Sequence, residues 1–202
     1  MPGPTGPTGM RGPTGPTGPT GPLGPTGSCK LDIMRMAFVN WYGGNYSGGS
    51  YNFSQPNYPT FDGTYIWIPN IGTNSVTQIK ASSGEFIRNI TGLFSNPLHS
   101  CFDGQHIWIS NNTGNSITGL NVIDGSLFMT ISGGLYNFNE PSGIAFDGTN
   151  LWVCNRGIVG IGSNSITAFD TNGGFIMNIS GGSFNFNVPN FITFDGNNLW
   201  VT

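Results

Sequence analysis

Side chains able to do chemistry are scarce in this sequence: nine acids, two histidines and three cysteines among 202 residues. General acid–base catalysis needs two titratable groups converging on one pocket. Four of the acids recur in one phrase, Phe-Asp-Gly, as Asp62, Asp103, Asp147 and Asp195. A tryptophan always follows five residues later, at Trp67, Trp108, Trp152 and Trp200. Asp-Gly is a tight-turn dipeptide, so turn formation accounts for these acids, and the Asp and Trp positions read as repeat-structural. Glu85, Asp124 and Asp170 fall at or beside further turns, and Asp32 stands apart near the N-terminal repeat. Glu140, just ahead of Pro141, is the acid least readily assigned to a turn. His106 lies inside an Asp-Gly turn and His99 precedes a strand, so neither has an evident acidic partner. Cys29, Cys101 and Cys154 show no Cys-x-x-Cys or Cys/His spacing, and no Gly-x-x-x-x-Gly-Lys is present, so zinc and phosphate-loop chemistry are unsupported. No catalytic residue, metal or cofactor is expected.

One pattern suggests binding instead. Tyr51-Asn52-Phe53, Tyr136-Asn137-Phe138 and Phe184-Asn185-Phe186 alternate aromatic and amide groups shortly before a proline. Such rings could stack on sugars, with Tyr136, Phe184 and Glu140 as candidate ligand contacts. Packing of the rings between neighbouring units is the stronger explanation, because repeat cores need large residues between sheets.

The elements that position these residues repeat. The aspartates are spaced by 41, 44 and 48 residues. A second phrase, Asn74-Ser75-Val76-Thr77, returns at Asn115-Ser116-Ile117-Thr118 and Asn164-Ser165-Ile166-Thr167. It lies seven, seven and twelve residues after the tryptophan, which places an insertion within residues 156–162 of the third unit. Ile-Thr-Gly or Ile-Ser-Gly closes each unit. Periods of this length with several short strands per unit predict propeller blades. In each unit strand A runs into Phe-Asp-Gly, strand B carries the Trp, strand C carries Asn-Ser-x-Thr and strand D ends at the closing Ile. The expected fold is all-β, with three full four-stranded blades and a partial one starting near residues 56, 97, 141 and 189. Residues 29–50 form a linker in which 37–42 read as a possible first strand. A closed four-bladed ring, an open arc and a truncated piece of a larger ring all remain compatible with residues 51–202.

The segment 1–28 is a different material. Gly3, Gly6, Gly9, Gly12, Gly15, Gly18, Gly21, Gly24 and Gly27 keep strict phase, mostly around Pro-Thr pairs. Glycine at every third position with this much proline is the pattern of the collagen triple helix, where only hydrogen fits at the axis. Such a strand needs two partners, so a homotrimer is expected. Cys29 lies where three aligned strands would emerge, placed for an interchain disulfide or left as a free thiol.

Two resemblances follow from these residues. The Gly-Pro-Thr repeat resembles collagen-like proteins on the coats of spore-forming bacteria and of giant virus particles, which implies an extracellular or outer-surface stalk. Pro141-Ser142-Gly143-Ile144-Ala145-Phe146-Asp147-Gly148-Thr149-Asn150-Leu151-Trp152-Val153 resembles the blade pattern of NHL, YVTN and streptogramin-lyase-type propellers. That family includes metal-assisted lyases using a His and a Glu, but no histidine here falls in a motif that matches those positions. Charge narrows the partners further. Six basic against nine acidic residues, with no basic cluster, argue against nucleic acid, and no apolar run is long enough to span a membrane. No signal peptide is visible. The expected function is a non-enzymatic surface protein, its stalk presenting a propeller that binds an unknown protein or glycan. A streptogramin-lyase-like or lactonase-like enzyme and a glycan-binding propeller are the alternatives.

Overall fold

The structure is a computed structural model that describes Gly3, residues 49–157 and residues 164–202. The collagen-like glycines after Gly3, Cys29, the possible strand at 37–42 and most of the third unit's insertion lie outside the described residues.

The described chain is all-β apart from one short 3-10 turn at Ile71–Thr73. Unit one comprises β1 (Thr60–Phe61), β2 (Tyr65–Asn70), β3 (Ser75–Lys80) and β4 (Phe86–Thr91). Unit two comprises β5 (Pro97–Phe102), β6 (His106–Asn111), β7 (Ser116–Asn121) and β8 (Leu127–Ser132). Unit three comprises β9 (Pro141–Phe146), β10 (Asn150–Asn155), β11 (Ser165–Asp170) and β12 (Phe175–Ser180). Unit four contributes β13 (Ile192–Phe194) and β14 (Leu199–Val201). Each complete unit is an antiparallel sheet whose strands pair in chain order, and β13 pairs with β14. The A strands lie innermost, β5 against β9 and β9 against β13. This is the propeller-type blade.

The sequence explains the turns in detail. In all four units the Asp Oδ1 accepts the backbone N–H groups two and three residues on, at 2.6–2.8 Å. The following glycine takes φ of 97–103°, which a side chain would resist. Asp Oδ2 accepts the indole N–H of the Trp five residues on, at 2.7, 2.8, 2.6 and 2.7 Å. The constant spacing therefore has a physical cause. One carboxylate closes the A–B hairpin and satisfies the one polar atom of a ring that must be buried.

Each unit has two apolar faces. The trailing face carries the strand B Trp, a β-branched residue of strand C and the closing Ile of strand D. The leading face carries the two aliphatics flanking that Trp and the last apolar residue of strand C. Trp67, Val76 and Ile90 of unit one pack on Ile107, Ile109 and Leu120 of unit two. Trp108, Ile117 and Ile131 of unit two pack on Leu151, Val153 and Phe169 of unit three. Trp152, Ile166 and Ile179 of unit three pack on Leu199 and Val201 of unit four. The indoles record how much covers them: Trp67 and Trp108 are fully buried, Trp152 is half-buried, and Trp200 is 59% exposed.

Candidate functional site

The residues two positions after each leading proline meet near the axis: Tyr58, His99, Gly143 and Phe191. His99 stacks on Tyr58 with ring centroids 3.8 Å apart and planes 15° apart. Phe191 meets both edge-on, at 5.1 Å from Tyr58 and 5.3 Å from His99. Gly143 makes room for this. Its N–H donates to the Asn190 carbonyl at 3.0 Å, and a Cβ there would lie 2.7 Å from that oxygen and 2.9 Å from the Ile192 nitrogen. Ser100 Oγ donates to the Tyr58 carbonyl (2.9 Å), and Ser142 Oγ to the Asn190 carbonyl (3.1 Å), tying neighbouring inner strands. Units one, two and four thus touch through equivalent side chains.

His99 is the imidazole of this cluster. It is 7% exposed and its Nε2 has no hydrogen-bond partner. Burial first, then the Arg156 charge, lower its pKa from 6.5 to about 4, so the ring is neutral at pH 7. Arg156 likewise holds a buried Nε without a partner.

The other candidates sit elsewhere. His106 lies at the turn end of β6, its Nδ1 3.2 Å from Asp103 Oδ2 and its ring stacked on Phe128 at 3.9 Å. His99 lies at the opposite end of the same hairpin, beside the Pro97–Asn111 pair. Glu140 has φ of 49°, and its N–H donates to Asn115 Oδ1 at 2.8 Å. No hydrogen bond joins any two of these three residues, and Arg156 neighbours both His99, on which its charge acts, and Glu140, to whose carbonyl its backbone N–H donates at 3.4 Å. Burial pushes the Cys101 and Cys154 thiols up to about 12, which leaves them protonated and poor nucleophiles. Among the described residues, no three His, Cys, Asp or Glu side chains gather as a metal ion would require.

Tyr136 and Phe184 differ despite their equivalent positions. Tyr136 stacks on Phe138 at 5.4 Å, sets its edge against Phe175, and donates its hydroxyl to the Gly173 carbonyl. It is a packing residue. Phe184 stacks on Phe186 at 5.6 Å yet remains 57% exposed, beside a cavity of about 220 Å³ bounded by Trp152, Ile166, Ile179 and Leu199. In the complete units Leu120 or Phe169 stands on the strand C that would border such a space.

Two repeated networks escaped the sequence reading. An Asn three residues after each Trp (Asn70, Asn111, Asn155) is buried and donates to Thr77, Thr118 or Thr167 Oγ1 at 2.8–2.9 Å. That hydroxyl then donates to a loop carbonyl of Tyr51, Leu93 or Tyr136. The Asn opening the Asn-Ser-x-Thr phrase acts between units. Asn74, Asn115 and Asn164 accept the N–H of Asn96, Glu140 and Val188, each just ahead of the next unit's proline, at 2.6, 2.8 and 3.1 Å. Their recurrence was visible; their partners lie 22–25 residues away and were not.

No family model and no curated protein matches the sequence. Solved structures are similar in fold. A catalytically inactive virginiamycin B lyase from Staphylococcus aureus with quinupristin aligns at 23% identity and TM-score 0.59, over 74% of this chain and 49% of that one. A streptogramin B lyase aligns at 18% and 0.59, over 76% and 51%. Hydrazine synthase from Kuenenia stuttgartiensis aligns at 21% and 0.58, over 73% and 41%. The chain thus spans about half or less of each of these proteins, and at such identities the likeness is one of fold.

Proposed function

We propose that the chain is a non-enzymatic, outer-surface interaction protein in which a collagen-like stalk trimerises and displays the propeller-type units. The observation that carries the non-enzymatic part is the aromatic packing at the axis. Tyr58, His99 and Phe191 pack on one another where the inner strands converge, with His99 buried between a Tyr58 and a Phe191 that are 41% and 40% exposed, so the space there is taken up by aromatic side chains. The stalk rests on the phased glycines of residues 3–27 and their need for two partner strands. Sedimentation and circular dichroism of the full chain test it. A species of three times 21.5 kDa with a cooperative, proline-type melt is expected; a monomer without that signal overturns the stalk.

The fold likeness to two streptogramin-inactivating lyases favours a second reading, turnover of a related cyclic ligand. Incubation with quinupristin followed by mass spectrometry decides it. Intact ligand at the end is the outcome expected from the packed axis, and its catalytic loss would establish the enzyme.

A further inference from the structure

The repeat separates what every unit needs from what one unit adds. Four residues after the strand B tryptophan stand Ile71, Asn112 and Arg156, and two residues after the leading proline stand Tyr58, His99, Gly143 and Phe191. Arg156 and His99 are the departures, since neither a cation nor an imidazole recurs at its position. The backbone role of the first position is common to three units. The N–H groups of Ile71, Asn112 and Arg156 donate to the carbonyls of Gln55, Asn96 and Glu140, at 3.2, 3.0 and 3.4 Å. The blade therefore needs no guanidinium there. A side chain that breaks a repeat whose backbone is already satisfied marks a place where function is expected.

The two departures meet. β5, which carries His99, packs on β9, and the Arg156 charge acts on the His99 ring with no carboxylate to offset it. Each holds a buried polar atom without a partner, His99 Nε2 and Arg156 Nε. Among the described residues the other such atoms belong to Gln78 on β3 and to Asn155, whose amide nitrogen serves Ser165 and Thr167 within unit three. Of the three basic side chains described, Lys80 is exposed and Arg88 donates to the Asp124 carbonyl. No hydrogen bond or ion pair among the described residues takes up the Arg156 guanidinium, and Glu140 offers it a backbone carbonyl but no ion pair. A guanidinium left unpaired beside a buried imidazole keeps its full desolvation cost until an acceptor meets it.

We infer that His99 and Arg156 form a binding site for a carboxylate carried on an apolar stem. The planar guanidinium donates side-on, through Nε and one Nη, to the two carboxylate oxygens. His99 adds a donor in its Nε2–H form. One cation and one neutral ring carry a single positive charge, which suits a monoanion, whereas a phosphate dianion would leave charge over near Glu140. Tyr58 and Phe191 are both partly exposed and supply aromatic walls for the stem. Their rings turn aside to admit it, as side chains at interfaces commonly do. On a protein partner such a group is a glutamate side chain or a chain terminus. The site gives the interaction module its partner chemistry, and rests on the non-enzymatic reading in holding a ligand at the axis without transforming it.

The sequence has only two histidines, so their ring signals in the full chain carrying isotope-labelled histidine are read separately, with His106 as the internal control. N-acetylglutamic acid α-amide presents a side-chain carboxylate and N-acetylphenylalanine a terminal one; N-acetylglutamine amide and N-acetylphenylalanine amide are their uncharged counterparts. A saturable shift of the His99 ring is expected with a carboxylate and not with its amide, while His106 stays in place. Which carboxylate binds more tightly tells the side-chain source from the terminal one. Arg156→Gln should weaken binding at least about 10-fold, and Arg156→Lys, which keeps the charge without the planar fork, by less. An unchanged His106 signal shows that each variant is folded, and the comparison of acid with amide needs no variant. A His99 ring that neither carboxylate moves, amides that act equally, or undiminished binding by Arg156→Gln overturns the site. Turnover of quinupristin would instead overturn the non-enzymatic reading and leave the carboxylate titration to be judged by its own result.

Discussion

At the scale of single residues, the chemistry available is directed inward. Each Asp of the Phe-Asp-Gly turns spends both oxygens on its own hairpin and indole. At Asp195 the Trp200 indole N–H, then the backbone N–H groups of Asn198 and Asn197, hold the carboxyl down to about 2. His99 shows the converse, a base held neutral by burial. Its folded pKa of about 4 lies below the unfolded 6.5, so between these values the unfolded chain binds the extra proton. The resulting stability is complete above pH 6.5 and is lost as pH falls toward 4. The loss is on the order of 3 kcal/mol. Urea titrations at pH 7.5, 5.5 and 4.2 should show the midpoint falling with acid, and His99→Phe should remove much of that slope while keeping the ring stack. An unchanged slope would place the acid sensitivity elsewhere.

At the scale of elements, the hairpins were legible and the ties between them were not. The Asp-Gly turns, the Trp strand and the four-strand repeat follow from local rules, because each signal lies within about ten residues of its effect. The role of Asn111 required the fold. Its Nδ2 donates to Thr118 and Ser116, its Oδ1 accepts the Ser95 N–H at 3.2 Å, and Thr118 donates onward to the Leu93 carbonyl. Glu140 is similar. As a lone acid it suggested a ligand contact, whereas the group used within the unit interface is its backbone N–H. Buried amides with several partners are costly to remove, since each abandoned group keeps its desolvation penalty. Asn111→Ala should lower stability by about 2–3 kcal/mol. Asn115→Ala, which removes one exposed latch, should cost about 1 kcal/mol or less. Denaturant melts of the two variants rank the networks, and equal losses would contradict the distinction between buried and exposed ties.

At the scale of the whole molecule, stability is distributed unit by unit. Each sheet buries its faces only on its neighbours, so energy enters through interfaces in series. The first two interfaces are complete, and Trp67 and Trp108 are fully buried there. Among the described residues the third involves two strands of unit four and is the least covered, with Trp152 only half-buried. Gly143 lies at the inner end of that interface, where a Cβ would meet the backbone of Asn190, Phe191 and Ile192 at 2.7–3.0 Å. Backbone cannot step aside as a flexible side chain can, so Gly143→Ala must push β13 off β9. The loss should be local. Amides of 190–202 should lose hydrogen-exchange protection, and Phe191 should leave the Tyr58–His99 stack. The amides of β2, β3, β6 and β7 should keep theirs, because their partners lie in the two complete interfaces. Loss of protection across all units at once would mean that the four units fold as a single cooperative body that depends on unit four.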